Sequence, residues 1–105
     1  MRRSYLSHST LFCGEYYKMH CCKITDNHVE LSPFDIETEA TEFIDGTIII
    51  GNINLLQHLK EIKTLSINDI ISYLNLHSLN YEVGKPFTII TLIVQDTTPS
   101  VNILF

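Results

Sequence analysis

The sequence predicts a mainly β fold: a small β-sandwich-like domain built from N- and C-terminal strands, with two short helices between them. Three observations predict this class. Residues 4–50 and 87–105 are rich in β-branched and aromatic residues and are divided by Gly, Pro and Asp-Asn turn signals. Between these regions, apolar residues recur every three or four positions instead of every two. A length of 105 residues fits a single domain, which covers residues 1–105.

The N-terminal half is predicted to form short strands joined by tight turns. Gly14 separates the first two strands, and Asp26-Asn27 is typical of the turn before a return strand. Pro33 has no N–H to donate to a sheet, so the third strand is expected to end there. Asp45-Gly46 predicts a hairpin that leads into a buried strand. The predicted strands cover residues 4–13, 15–24, 28–32, 37–44 and 47–50.

The middle of the chain is predicted to be helical. Leu55, Leu59 and Ile62 are spaced as on one face of a short amphipathic helix. Ser66 begins a sequence similar to a capping box, which makes it the expected N-cap of a second helix. The apolar face of that second helix consists of four residues: Ile67, Ile70, Ile71 and Leu74.

After the helices, the chain is predicted to return to strands. Gly84 permits a tight turn, and Pro86 favours an extended conformation at Lys85. A β-branched run then predicts a strand over residues 87–95. We expect residues 96–100, which contain Pro99, to form a turn before a final strand at residues 101–105.

The charge and the cysteine count limit the classes of function. A formal net charge of −5 argues against nucleic acid or an anionic membrane surface as partner. The first residues have no apolar run typical of a signal peptide, and no apolar segment is long enough to span a bilayer. Three cysteines, an odd number, favour reduced thiols and therefore a cytoplasmic location.

One stretch of the sequence resembles a known catalytic motif. Four residues match the glycine, aliphatic, asparagine and second-histidine positions of the pattern P-G-[FL]-[VI]-[ND]-x-H-x-H: Gly51, Ile53, Asn54 and His58. This pattern is typical of the strand by which metal-dependent amidohydrolases enter their catalytic barrel. Leu56 stands at the position of the first metal-ligand histidine, and a leucine has no lone pair to donate.

The C-terminal half extends this resemblance. Gly84-Lys85, followed by an apolar strand, is similar to the G-K turn with which amidohydrolases close their small β-domain. The resemblance implies the composite β-sandwich domain of these enzymes, with the catalytic barrel missing between about residues 59 and 66. It implies a structural role for the G-K turn, whereas the charge of Lys85 beside Gly84 could also bind an anion.

Two groups of residues are candidates for metal or thiol chemistry. His20, Cys21 and Cys22 are adjacent, and Cys13 is nearby in sequence. Successive strand residues face opposite sides, so both cysteines cannot bind one ion without a bulge, and buried structural cysteines are the commoner case. His58 could be a metal ligand, but a polar residue on a surface helix is the simpler interpretation. We therefore expect no catalytic residue, metal or cofactor.

The sequence predicts a non-catalytic, stand-alone interaction or structural domain. Loss of the barrel would uncover apolar surface, which the two helices or a second copy of the chain would cover, so a homo-oligomer is expected. Two alternatives stay open. The chain could be a regulatory subunit that docks on an amidohydrolase, or a metal- or thiol-dependent enzyme that uses the Cys13–Cys22 region.

Overall fold

The computed structural model describes residues 2–25, 28–34, 41–95 and 97–105, with only the backbone described for residues 2 and 95. Within these ranges the chain forms seven strands, a 3₁₀ turn and two short α-helices. In chain order they are β1 (Arg2–Phe12), β2 (Glu15–Thr25), β3 (His28–Pro33), β4 (Glu42–Phe43), β5 (Thr47–Asn52), the 3₁₀ turn (Ile53–Gln57), α1 (Leu59–Ile62), α2 (Ile67–Leu76), β6 (Phe87–Gln95) and β7 (Thr98–Ile103).

The described strands form one sheet that contains both ends of the chain. The order across the sheet is β3-β2-β1-β5-β6-β7, and β4 pairs with β1 beside β5. The pairs β1–β5 and β1–β4 are parallel, and all other pairs are antiparallel. The N- and C-terminal strands therefore join at β5 and β6. The predicted mainly β fold, with two short helices between its two groups of strands, is confirmed.

Apolar side chains pack on both faces of the sheet. Alternate residues of β5 and β6 belong to different clusters, as the two-residue repeat of a strand requires. The helix-side cluster lies under α1 and α2 and contains Leu11, Ile49, Leu55, Ile62, Ile70, Leu74, Leu79, Ile90 and Leu92. The strand-side cluster contains Tyr5, Cys22, Ile24, Val29, Ile44, Ile48, Ile50, Tyr81, Phe87 and Ile89. The helices thus cover one face, and the other cluster draws its members mainly from strands.

The first strand changes face halfway along its length. Tyr5 and Leu11 are six residues apart, which in a regular strand would place them on the same face, yet they belong to opposite clusters. On the neighbouring strand, Met19 has a φ of +52°, which interrupts the regular ladder. The Ser7 hydroxyl accepts the Ser9 N–H at 3.1 Å, which stabilises the irregular segment of β1. One long hairpin can therefore contribute to both clusters.

Several predicted elements are confirmed in detail. Ser66 caps α2, because its side chain accepts the Asp69 N–H at 3.3 Å, and Ile70 and Leu74 are buried against the sheet. Gly84 has a φ of +81°, as the predicted turn requires. The first three strands match their predicted positions closely, and β3 ends at Pro33 on the sheet edge.

The predicted hairpin at Asp45-Gly46 is wrong. The strands on either side of it, β4 and β5, both pair in parallel with β1 and not with each other. The Ile44 N–H donates to the Leu6 carbonyl at 2.7 Å, which continues this arrangement between the two strands. Gly46 permits a close approach to β6, since a Cβ there would lie 2.8 Å from the Leu92 carbonyl oxygen. A long-range pairing with β1 therefore replaces the local turn.

Two other predictions need correction. Pro99 does not lie in a turn, because β7 begins at Thr98 and Pro99 pairs with Val94. An edge strand tolerates a proline whose missing N–H would point away from the sheet. The predicted helix through Leu55 and Ile62 is interrupted at His58, where a 3₁₀ turn ends and α1 begins. The predicted turns at 26–27 and 96, and residues 37–40 of the predicted 37–44 strand, lie outside the described residues.

Candidate functional site

The predicted thiol and imidazole group does not converge on one point. Cys21 and Cys22 are both buried, but as neighbours in β2 their side chains lie on opposite faces of the sheet. His20 is half-buried, and its Nδ1 lies 2.8 Å from the Lys18 carbonyl oxygen. The three side chains therefore do not form a shared ligand set.

Two of the three cysteines have thiols whose pKa is raised. Burial raises the pKa of the Cys22 thiol to about 12, with a further contribution from the charge of Cys21. Cys13 is exposed in the turn after β1, and desolvation raises the pKa of its thiol as well. A reactive or metal-binding cysteine needs a thiolate, which requires a lowered pKa. Neither Cys13 nor Cys22 has the lowered thiol pKa that this chemistry requires.

His58 belongs to a small aromatic cluster on the helical side. Its Nδ1 lies 2.7 Å from the Tyr73 hydroxyl, and its ring centroid is 5.5 Å from that of His77. Desolvation and the charge of Glu61 raise the pKa of Tyr73, so this residue stays a neutral phenol that can donate to His58. Within the described ranges, no three His, Cys, Asp or Glu side chains are grouped so as to hold a metal ion.

The outer side of β7 is an edge of the sheet with unpaired peptide groups. Pro99 lies opposite Val94 on β6. Because proline has no N–H, the two residues form a non-hydrogen-bonded pair of the antiparallel ladder. Bonded and non-bonded pairs alternate in an antiparallel ladder, so Val101 and Ile103 also form non-bonded pairs with β6. Their peptide groups therefore point away from β6. No strand among the described residues pairs with this side of β7.

Exposed apolar side chains accompany this free edge. Ile103 is 58% exposed, and Val94 on the adjacent strand is 63% exposed. Ile103 faces Ile90, a member of the helix-side cluster, so its side chain lies on the helical face of the sheet. The segment Thr98–Ile103 contains no charged residue. Natural sheets usually protect such an edge with charges or with a covering segment.

The opposite edge of the sheet differs in composition. Strand β3 has His28 and Glu30, whose side chains lie 3.4 Å apart, and it ends at Pro33. The exposed carboxylate of Glu30 discourages pairing with another strand. The contrast marks β7 as the more accessible edge for a partner strand.

A groove runs between α1 and β7. It has a volume of about 360 Å³ and is lined by Leu59, Lys60, Lys63, Pro99, Ser100 and Val101. The two lysines are exposed, so they place positive charge beside an otherwise uncharged edge. A strand added to β7 would pass next to these lysines.

The sequence did not identify the β7 edge, although one signal was present. Pro99, together with the uncharged run around it, is typical of an edge strand, but it also fits a turn. We predicted a turn at Pro99, so the predicted final strand begins at residue 101, three residues after the observed start of β7 at Thr98.

In the described part of the chain, no helix has the length and apolar character needed to cross a bilayer. No protein-family model, curated protein sequence or solved structure matches this chain. The resemblance to amidohydrolases, based on Gly51, His58 and the Gly84-Lys85 turn, therefore stays a prediction.

Proposed function

We propose that this protein is a non-catalytic interaction domain that self-associates through the outer edge of β7. The observation that carries the proposal is the pair of outward-facing peptide groups at Val101 and Ile103, on a strand without charged side chains. Each unpaired peptide group gains a hydrogen-bond partner when a second strand is added, and the exposed side chain of Ile103 loses contact with water.

Two identical β7 strands can pair antiparallel about a two-fold axis perpendicular to the sheet. The sheet would then continue from one copy into the other, and both helical layers would lie on the same side. This arrangement brings Lys60 and Lys63 of the two copies towards each other, since α1 borders β7. Their repulsion is screened by salt, so self-association should strengthen as ionic strength rises.

The absence of an enzymatic role is part of the proposal. The His58 Nδ1 is occupied by Tyr73, and the pKa values of Cys13 and Cys22 are raised. Leu56, at the predicted position of a metal ligand, packs against the helix-side cluster. The three free thiols suit a reducing compartment, and a cytoplasmic location belongs to the same proposal.

Sedimentation velocity over a range of protein concentrations tests the self-association. The wild-type chain should form a dimer, and Ile103→Lys should shift it to the monomer because the new charge lies on the pairing edge. Leu76→Lys is the matched control, since Leu76 is 79% exposed at the end of α2, away from β7. That variant should dimerise like the wild type.

A backbone variant separates strand pairing from simple apolar contact. Val101→Pro removes an outward-facing N–H but no ladder bond to β6, so the fold should persist while dimerisation weakens. Circular dichroism reports whether the variant is folded. A wild-type chain that stays monomeric at all concentrations and salt levels would refute the proposal. Equal dimerisation of Ile103→Lys and the wild type would also refute it.

A further inference from the structure

A second pocket lies at the start of β6, and its lining combines aromatic rings with a cation. It has a volume of about 310 Å³ and is lined by Gly84, Lys85, Pro86, Phe87 and Phe105. This volume is at the lower end of the range of small-molecule sites, about 300–1,000 Å³. A Cβ at Gly84 would meet no atom within 4 Å, so the turn leaves open space beside the pocket.

The aromatic part of the lining is fixed by the sheet. The rings of Phe87 and Phe105 are stacked, with centroids 5.2 Å apart and planes at 12°. The Phe105 carbonyl accepts the Ile89 N–H at 3.1 Å and the Thr88 hydroxyl at 2.8 Å, which anchors its backbone. Phe105 nevertheless remains 40% exposed. A planar ligand could therefore contact an aromatic ring whose orientation is already fixed by the sheet.

Two cations accompany this aromatic surface. Lys85 lines the pocket, and the Arg3 guanidinium carbon lies 5.8 Å from the centroid of the Phe105 ring. Among the residues that the structure describes, neither cation has a carboxylate partner within ion-pair distance. The whole chain has a formal net charge of −5, so two cations beside one aromatic surface are a local exception. Such a site attracts an anion.

We propose that this pocket binds a small planar aromatic molecule that carries a carboxylate or phosphate group. The ligand ring would pack against the exposed part of the Phe105 side chain, and the anionic group would meet the Lys85 ammonium, with Arg3 adding positive potential. A neutral aromatic molecule lacks the charge contact, and a small inorganic anion lacks the ring contact. This proposal does not depend on self-association through β7.

Nuclear magnetic resonance titration of the 105-residue chain tests the site with three probes: naphthyl phosphate, naphthol and inorganic phosphate. Naphthyl phosphate should cause saturable shifts in the amide signals of Gly84, Lys85, Phe87 and Phe105. Naphthol should bind about tenfold more weakly, because it lacks the charged group that contacts Lys85. Inorganic phosphate should also bind about tenfold more weakly, because it lacks the aromatic ring.

Variants then identify the residues responsible. Lys85→Gln should weaken naphthyl phosphate binding about tenfold, because the charged partner of the anion is removed. Lys18→Gln is the matched control, with the same loss of charge at an exposed position on β2, and should bind like the wild type. Lys85 is exposed, so its variant should keep the wild-type spectrum elsewhere. Equal binding by Lys85→Gln, equal binding of naphthol, or saturable shifts confined to other parts of the chain would overturn the proposal.

Discussion

Replacing Gly51 by alanine tests how closely the segment after α2 approaches the sheet. A Cβ at Gly51 would lie 2.5 Å from the Leu79 carbonyl oxygen and 2.9 Å from a methyl carbon of Leu55. The carbonyl cannot move away freely, because it accepts the Asn52 N–H at 2.9 Å. Leu55 and Leu79 are themselves buried in the helix-side cluster, so their displacement would disturb the packing around them.

The size of the effect follows from these contacts. Forcing extra atoms into a packed region usually costs about 1–3 kcal/mol. Moving the Leu79 carbonyl also weakens its hydrogen bond with Asn52, which contributes about 1 kcal/mol. We therefore expect Gly51→Ala to lower the free energy of unfolding by about 3 kcal/mol. For a domain of this size, the melting temperature should fall by about 12–24 °C.

Urea denaturation followed by circular dichroism measures this change, with Gly84→Ala as the matched control. A Cβ at Gly84 meets no atom within 4 Å, but the φ of +81° is unfavourable for alanine. The control should lose only about 1 kcal/mol, from backbone strain alone. A Gly51→Ala variant that is no less stable than Gly84→Ala would contradict the close approach of the Leu79 carbonyl to Gly51.

Two further predictions concern buried polar groups. Among the described residues, the buried Thr10 hydroxyl has no hydrogen-bond partner, whereas the Thr88 hydroxyl donates to the Phe105 carbonyl at 2.8 Å. Thr10→Val should leave the free energy of unfolding unchanged or raise it by up to about 1 kcal/mol. Thr88→Val should lower the free energy of unfolding by about 1 kcal/mol. Urea titrations of the two variants should show this difference in sign. Burial raises the pKa of Cys22 from 9.0 to about 12, so the unfolded chain releases its thiol proton first. The contribution of Cys22 to stability should be fully present below pH 9 and fall by up to about 4 kcal/mol as the pH rises to 12. Cys22→Ala should flatten this dependence in unfolding curves measured across that pH range.

Features determined by neighbouring residues were predictable from the sequence. The side chain of Ser66 caps a helix whose first turn contains its hydrogen-bond partner, Asp69, so the signal and the contact lie within four residues. The turn at Gly84 and the strand Phe87–Gln95 likewise depend on local backbone preferences. The union of strands from both chain ends was expected from the resemblance to the composite domain of amidohydrolases, and β5 and β6 pair in the structure.

Features determined by distant pairing were not predictable in the same way. Asp45-Gly46 is a strong local hairpin signal, yet both flanking segments pair with β1. The role of Pro99 depends on which strand becomes the sheet edge, and that depends on the order of all the strands. The candidate site at the β7 edge was therefore not predicted, because it depends on strand pairing between distant residues, as do the errors in the predicted fold.

The residues that resemble the amidohydrolase motif have local roles in this fold. Gly51 admits the Leu79 carbonyl, Leu56 packs against the helix-side cluster, and His58 ends the 3₁₀ turn and contacts Tyr73. In an extended strand, residues 56 and 58 would share one face, as a pair of metal-binding imidazoles requires. Here Leu56 lies within a 3₁₀ turn and His58 just beyond it, so their side chains do not have that alignment. A histidine at position 56 would therefore place a polar ring against an apolar cluster without forming a metal site with His58, because the backbone here is a 3₁₀ turn and not an extended strand.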